Sequence, residues 1–259
     1  MGLKACTRDV LKIFLFGMLL SVRAASAALP ELIDQIKPSI VVIGTYAKIR
    51  SPSFVMKGTG FVVGDGSLVA TNAHVVPETL NAASGEYLVI LLPTEGTSPR
   101  QRSAKILITD KAHDLTLLRV DGPPLPAVVL QGREPVREGQ SVAFIGFPIG
   151  NALGLSPVTH HGIISAITPI AMPSATAQQL NQKTITRLRS GTFEVYQLDG
   201  TAYPGNSGGP LFNAETGEVI GIVNMVFVKG SKESVLTNPS GISFAVPITH
   251  LQALLKDSP

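Results

Sequence analysis

The stretch TAYPGNSGGPLFNAETGEVIGIV, Thr201 to Val223, sets three glycines within five positions around one serine, then an apolar run, a turn and a second apolar run. Glycine loses more backbone freedom on folding than any other residue, so this density marks a backbone held where other residues do not go. A serine hydroxyl is a poor nucleophile at neutral pH unless a base takes its proton and hydrogen-bond donors await the oxyanion that forms. Glycines flanking a serine let backbone N–H groups turn inward and let a substrate carbonyl come close. The stretch poses a question of chemistry around Ser207 and a question of fold.

The residues after the serine settle the fold. Gly205-Asn206-Ser207-Gly208-Gly209 satisfies the loose G-x-S-x-G pattern of the α/β-hydrolases, in which a helix comes after the serine and an acid, then a histidine, come later in the chain. Here PLFNAETGEVIGIV gives a strand, a turn and another strand. The only later histidine, His250, precedes Asp257, the reverse of the required order. The elbow reading is excluded.

Outward from this point the chain is a succession of short Val- and Ile-rich runs: SIVVIGTY, GFVVGDGSLVATN, EYLVILL, AKILITD, LTLLRV, QSVAFIGF, GIISAIT, FEVYQLD, EVIGIVNMVF and GISFAV. Asp65-Gly66 between two of them is a hairpin signal. Many short strands without alternating helical patterns predict an all-β barrel or sandwich. Two terminal helices are expected, one with Leu32, Ile33 and Ile36 on its apolar face. The other comes after Pro247 and carries Ile248, Leu251, Leu254 and Leu255. Prolines and charges between Asp121 and Gly139 form a seam that divides the β runs into two similar groups. The irregular segment Pro169 to Gly191 is long for a loop inside a compact domain and is expected to be mobile and to influence the active-site turn.

The chain of 259 residues has a formal net charge of +3, which invites a nucleic-acid reading. Lys4, Arg8, Lys12 and Arg23 against Asp9 account for all of it, leaving 17 basic and 17 acidic side chains of the chain's 21 and 18. A nucleic-acid footprint belongs on the folded part, so that partner class is set aside. The first 27 residues have a positive start, an apolar run from Ile13 to Val22 and small residues ending in Ala25-Ser26-Ala27. This is the layout of a secretory signal peptide cleaved after Ala27, too short in its apolar part for a span of roughly 20 residues. A membrane contact is expected only through an uncleaved leader. The single cysteine, Cys6, leaves with the leader, so a disulfide scaffold is excluded. An exported protein, periplasmic or secreted, is expected.

Upstream, VATNAHVV places His74 at the end of a β run and KAHDLTLLRV places Asp114 at the head of another. Base, orienting acid and nucleophile occur in the order His, Asp, Ser, as in the chymotrypsin arrangement. Each residue alone is ordinary: a histidine beside apolar residues is commonly structural, and an aspartate before a strand is commonly a turn residue. The three together, with the seam between the second and third, are not.

The chain resembles a trypsin-like serine protease, and in particular the protease domain of the HtrA/Deg family. The matching segments are GTGFVV, VATNAHVV, DLTLLRV, GFPIG, GIISAI, QLDGTAYPGNSGGPLFN, GEVIGIV and GISFAVP, in family order from about residue 38 to 250. The resemblance implies two six-stranded β-barrels: the first over about 38–120, a linker over 121–139, the second over about 140–246, and a closing helix at 247–256. It implies His74 as general base then acid, Asp114 as its orienter, Ser207 as nucleophile, and the N–H groups of Gly205 and Ser207 as oxyanion hole. The implied activity is a serine endopeptidase without cofactor, acting on unfolded or flexible polypeptides. The alternative is a catalytically silent protease fold that binds peptides or proteins.

Three departures from the family pattern stand out. Members commonly carry PDZ domains after the protease, whereas this sequence stops shortly after the closing helix, so none is expected. The segment after the nucleophile, commonly G-I-N-T, reads Gly221-Ile222-Val223-Asn224, which shifts the pocket wall around Asn224, Met225 and Val226 by one residue. Asp114 and Ser207 lie 93 positions apart, with Pro169 to Gly191 as the expected insertion. Six residues before the nucleophile, where trypsin-like enzymes selecting Arg or Lys carry a carboxylate, stands Thr201. With Met225 and Val226 this predicts a small apolar pocket suited to aliphatic side chains, and broad cleavage, since a methylene there is worth only roughly 1–3 kcal/mol. Asp199 is read as structural. His113 is expected to point away from the site, and His160-His161, as strand neighbours, to face opposite sides, so no metal site is expected.

Overall fold

The computed structural model describes residues 28–92, 100–132, 134–150, 155–169, 193–224 and 241–258. The leader, Met225 and Val226, and almost all of the 169–191 segment lie outside the described residues.

Among the described residues, twelve strands close into two six-stranded antiparallel barrels. The first contains β1 (Ile40–Tyr46), β2 (Phe54–Val63), β3 (Leu68–Asn72), β4 (Tyr87–Leu92), β5 (Arg100–Asp110) and β6 (Leu115–Val120), in the order β1-β2-β3-β6-β5-β4. The second contains β7 (Ser141–Gly146), β8 (Val158–Pro169), β9 (Glu194–Asp199), β10 (Pro210–Asn213), β11 (Val219–Asn224) and β12 (Ile242–Pro247), in the order β10-β11-β12-β9-β8-β7. Helix α1 (Leu29–Ile36) precedes the first barrel and α2 (Ile248–Lys256) closes the second. The all-β expectation holds. The Asp65-Gly66 signal is a hairpin between β2 and β3, where the Asp65 carboxylate accepts from both the backbone N–H and the hydroxyl of Ser67.

The continuous apolar runs have a physical origin in the packing. Successive side chains of a strand point to opposite faces, and here both faces are covered. In β1, Val41 and Ile43 fill the interior of the first barrel with Val62, Val69, Ile90 and Leu118. Ile40 and Val42, between them, point the other way into a core shared by both barrels, with Phe61, Ile145, Phe147, Phe212 and Val246. A third cluster around Phe144, Ile164, Leu211 and Ile220 fills the second barrel. Leu32 and Ile36 of α1 are buried, as are Ile248, Leu251 and Leu254 of α2; Ile36 and the three α2 residues belong to the shared core.

The chain between β6 and β7 is held to each barrel in turn. Leu125 N–H donates to Gly66 O at 2.9 Å and Val128 N–H to Val62 O at 3.0 Å, on the first barrel. Leu130 then forms a parallel bridge with Val219 of β11. The amide of Gln252 in α2 donates to Gln131 O at 2.7 Å, tying the closing helix to the same segment.

Candidate active site

The pairing of β3 with β6 sets Asn72 opposite Leu115, so the residues just beyond, Ala73-His74 and Asp114, meet at the barrel end. Asp114 takes a left-handed backbone, φ 57°, a conformation more accessible to Asp than to most residues. In it the Asp114 carbonyl accepts from Ala73 N–H at 2.9 Å and from the Asn72 amide at 3.1 Å. Its carboxylate turns back onto His74: Oδ1 accepts the His74 backbone N–H at 2.9 Å, and Oδ2 lies 2.6 Å from Nδ1 of the ring. A carboxylate only accepts, so Nδ1 carries the proton in this bond and the lone pair of a neutral ring sits on Nε2. Asp114 is buried while the His74 side chain keeps 30 % exposure, which leaves the ring open to a proton donor from the cleft.

A third donor reaches the same carboxylate. The Asn224 amide, fully buried at the end of β11, donates to Asp114 Oδ2 at 2.8 Å. The sequence reading put Asn224 in the wall of a substrate pocket; the structure shows its Nδ2 bonded to the carboxylate. The bond runs from an amide of the second barrel to a carboxylate of the first. Because an amide has both a donor and an acceptor end, only the geometry tells which function it serves.

The serine turn enters the second barrel between β7 and β11. Gly208 N–H donates to Val223 O at 3.0 Å and Val223 N–H to Gly209 O at 2.9 Å, next to Asn224. Two of the glycines are required here. Gly205 has φ +106°, and a Cβ on it would lie 2.2 Å from Phe147 O. Gly208 has φ +86°, and its Cβ would lie 2.1 Å from Thr59 O. The turn is pinned from the first barrel by Thr59, whose N–H donates to Ser207 O at 2.9 Å and whose hydroxyl donates to Gly205 O at 2.6 Å. The same hydroxyl accepts Phe147 N–H at 3.1 Å. With its carbonyl occupied, Gly205 keeps an N–H that makes no hydrogen bond among the described residues. A turn with its carbonyls engaged and an amide unspent suits a developing negative oxygen.

Gly58 marks how closely the two halves approach: a Cβ there would sit 2.8 Å from Val75, next to His74, and 3.0 Å from Ser207 O. His74 and Asp114 are thus in direct contact. The serine turn adjoins both, through Gly58 on one side and Asn224 on the other. Thr201 is half-buried after β9, beside Ala202, whose N–H donates to Ser243 Oγ at 2.8 Å. A cavity of about 610 Å³ on the flank of the first barrel is lined by Val76, Pro77, Tyr87 and Ile106, and none of the sequence-predicted residues belongs to it.

The other histidines are less bland than their sequence context. His113 lies in a turn rather than a strand; its Nδ1 is 2.5 Å from Asp110 Oδ2, and its ring stacks on His250 of α2 at 3.8 Å between centroids. Phe193 packs edge-on against both rings. His161 bonds Ser141 Oγ at 2.9 Å, and His160, on the opposite face, reaches Asn206 at 3.2 Å. Thr59 and His160 were missed as contributors to the turn, although Thr59 is the second residue of the quoted GTGFVV segment. Among the described residues no group of three His, Cys, Asp or Glu side chains could hold a metal ion, and no helix is long and apolar enough to cross a membrane.

Comparison with known proteins agrees with this geometry. Residues 58–222, which include His74, Asp114 and Ser207, match the family model described as a trypsin-like peptidase domain. The chain is similar to a probable periplasmic serine endoprotease, DegP-like, of Halomonas elongata, 35 % identical over 195 residues that cover 74 % of this chain and 32 % of that protein. It is also similar to serine protease HTRA1A of Danio rerio, 32 % identical over 232 residues, 88 % of this chain and 40 % of the relative. Serine protease HTRA3 of Rattus norvegicus is 30 % identical over 233 residues, 88 % of this chain and 43 % of its own. The chain therefore spans between about a third and two fifths of the length of these relatives. With a pair of six-stranded barrels and a histidine–aspartate contact beside a glycine-bound serine, the chain belongs to the trypsin-like peptidase domain family, as a protease domain of the HtrA type.

Proposed function

We propose that this chain is an exported serine endopeptidase that cleaves unfolded or flexible polypeptides through Ser207. In the first step Ser207 Oγ attacks the scissile carbonyl carbon and its proton passes to Nε2 of His74. Asp114, already bonded to Nδ1–H, stabilises the imidazolium. The carbonyl oxygen becomes an oxyanion received by the N–H groups of Gly205 and Ser207. Collapse of the tetrahedral intermediate breaks the C–N bond, and the leaving amine takes the proton from His74. A water molecule then attacks the acyl carbon as its proton passes to His74, and collapse breaks the bond to Ser207 Oγ, which takes the proton back as the carboxylic acid product leaves.

The observation that carries this reading is the two-point contact of Asp114 with His74, backbone N–H at 2.9 Å and ring Nδ1 at 2.6 Å, which fixes the tautomer that a general base needs. The unspent Gly205 N–H supplies a donor for the oxyanion. Thr201 in place of a carboxylate favours aliphatic over basic side chains in the specificity pocket. The family relatives named as periplasmic endoproteases, together with the signal-like leader, favour export.

Casein hydrolysis by the chain from residue 28 onward tests the activity. Wild-type protein is expected to degrade casein, and Ser207→Ala to lose at least about 10³-fold in rate, the scale on which a member of such a triad acts. Equal rates would end the proposal.

A further inference from the structure

Asn206, between the two residues assigned to the oxyanion hole, is fully buried. Its backbone is spent within the turn: N–H donates to Tyr203 O at 2.9 Å, and its carbonyl accepts from Gly209 N–H at 3.0 Å. Its side chain has a single partner among the described residues, the ring of His160 in β8, with Nδ2 3.2 Å from Nε2. The other end of the amide, Oδ1, is buried without a partner among those residues. An orphaned buried acceptor is costly, and the orientation of this amide rests on one bond.

That bond fixes the state of the imidazole. An amide NH₂ can only donate, so Nε2 accepts and the ring is neutral with its proton on Nδ1. His160 is packed for this state. Its ring stacks on Phe144 of β7 at 4.7 Å between centroids and 14° between planes, and Tyr203 of the serine turn lies at 6.2 Å. Phe144 and Asn206 do not titrate, Tyr203 is neutral at pH 7, and no charged group perturbs the ring. Burial alone lowers the pKa of His160 from its ordinary value.

We propose that His160 is a positioning residue for the nucleophile turn, its neutral ring holding the Asn206 amide and through it the Gly205–Ser207 backbone. The proposal deepens the serine-hydrolase reading and rests on it. Protonation of His160 places an N–H against the amide N–H of Asn206. Two donors cannot share the bond, so the amide must rotate by half a turn and bury its NH₂ where Oδ1 now sits without a partner. Acid would thus act on the turn through His160.

The test is the second-order rate at which a fluorophosphonate probe labels Ser207 between pH 4.5 and 8, in wild type, His160→Phe and His160→Gln. Phenylalanine keeps the stack and removes the acceptor; glutamine keeps an acceptor and removes the titration. At pH 8, His160→Phe is expected to label about tenfold more slowly, as expected for one lost hydrogen bond of about 1.4 kcal/mol. His160→Gln is expected within about threefold of wild type. As pH falls, the wild-type logarithmic rate should steepen from a one-proton to a two-proton slope, while His160→Gln keeps one proton throughout. In parallel, ¹⁵N chemical shifts of the wild-type ring at pH 8 should report the Nδ1–H tautomer. A labelled wild type with a one-proton slope throughout, or an Nε2–H tautomer, would overturn the proposal even if His160→Phe fails to fold. A folded His160→Phe that labels as fast as wild type would do the same and leave the hydrolase reading intact. A wild type that takes no probe at any pH would overturn both.

Discussion

At the scale of single residues, the site depends on atoms that perform no chemistry themselves. Thr59 holds Gly205 O and Phe147 N–H with one hydroxyl. Thr59→Val keeps the shape and removes both bonds, and kcat on a peptide substrate should fall about tenfold to a hundredfold with KM little changed; Thr59→Ser should retain most activity. Asn224→Ala removes a donor from a buried carboxylate, a charged bond worth about 1.5–3 kcal/mol, and the same split between kcat and KM is expected. Gly208→Ala would press a Cβ to 2.1 Å from Thr59 O and 2.3 Å from Thr71 Oγ1 at a positive φ. A loss of about 2–4 kcal/mol is expected, seen as a melting temperature lower by roughly 5–15 °C. Ser207, His74 and Asp114 were legible in the sequence because local composition and chain order mark them. The roles of Thr59, Asn224 and His160 were not, because their bonds span 146, 110 and 46 positions and nothing in their local composition marks them.

At the scale of elements, the strands were readable as runs but not as faces. β1 is buried on both sides, so its apolar residues do not alternate with polar ones, and only the packing tells that Val41 belongs to one core and Val42 to another. The closing helix was readable from its apolar spacing, yet what its polar face does was not. There His250 stacks on His113, and its pKa is lowered to about 4 by burial and then by the neighbouring imidazole. The unfolded chain takes up this proton near the ordinary value of 6.5, so between about 4 and 6.5 the unfolded state binds more protons and stability rises with pH. Acidification through that window should therefore destabilise the fold. The ring is only partly buried, and solvent screening reduces the effect to on the order of 1–2 kcal/mol. Urea unfolding at pH 7 and pH 4.5 checks this: the drop in stability should be smaller in His250→Phe, which keeps an aromatic ring at the stack.

At the scale of the molecule, both barrels share one core across the seam, and that core positions the reacting groups. Its residues come from β1, β2, β3, β4 and β6 of the first barrel, from β7, β10, β11 and β12 of the second and from both helices, so loosening it on one side should loosen the other. Phe212, fully buried in this cluster, tests the coupling: Phe212→Ala should cost about 3–5 kcal/mol, and unfolding should remain a single transition by calorimetry. The division into two halves was visible in the proline-rich break after β6, whereas the shared core was not, because nothing in a strand's composition says which neighbouring barrel its outer face will meet. The claim on which the function depends is that this seam brings an imidazole, a hydroxyl and a glycine-bound turn into one reactive unit. Mass spectrometry of the chain from residue 28 onward after fluorophosphonate treatment tests it most directly. A single adduct on Ser207, lost in His74→Ala and in denaturant, is the expected result; no adduct in the folded protein, or one formed equally well without His74, would contradict it.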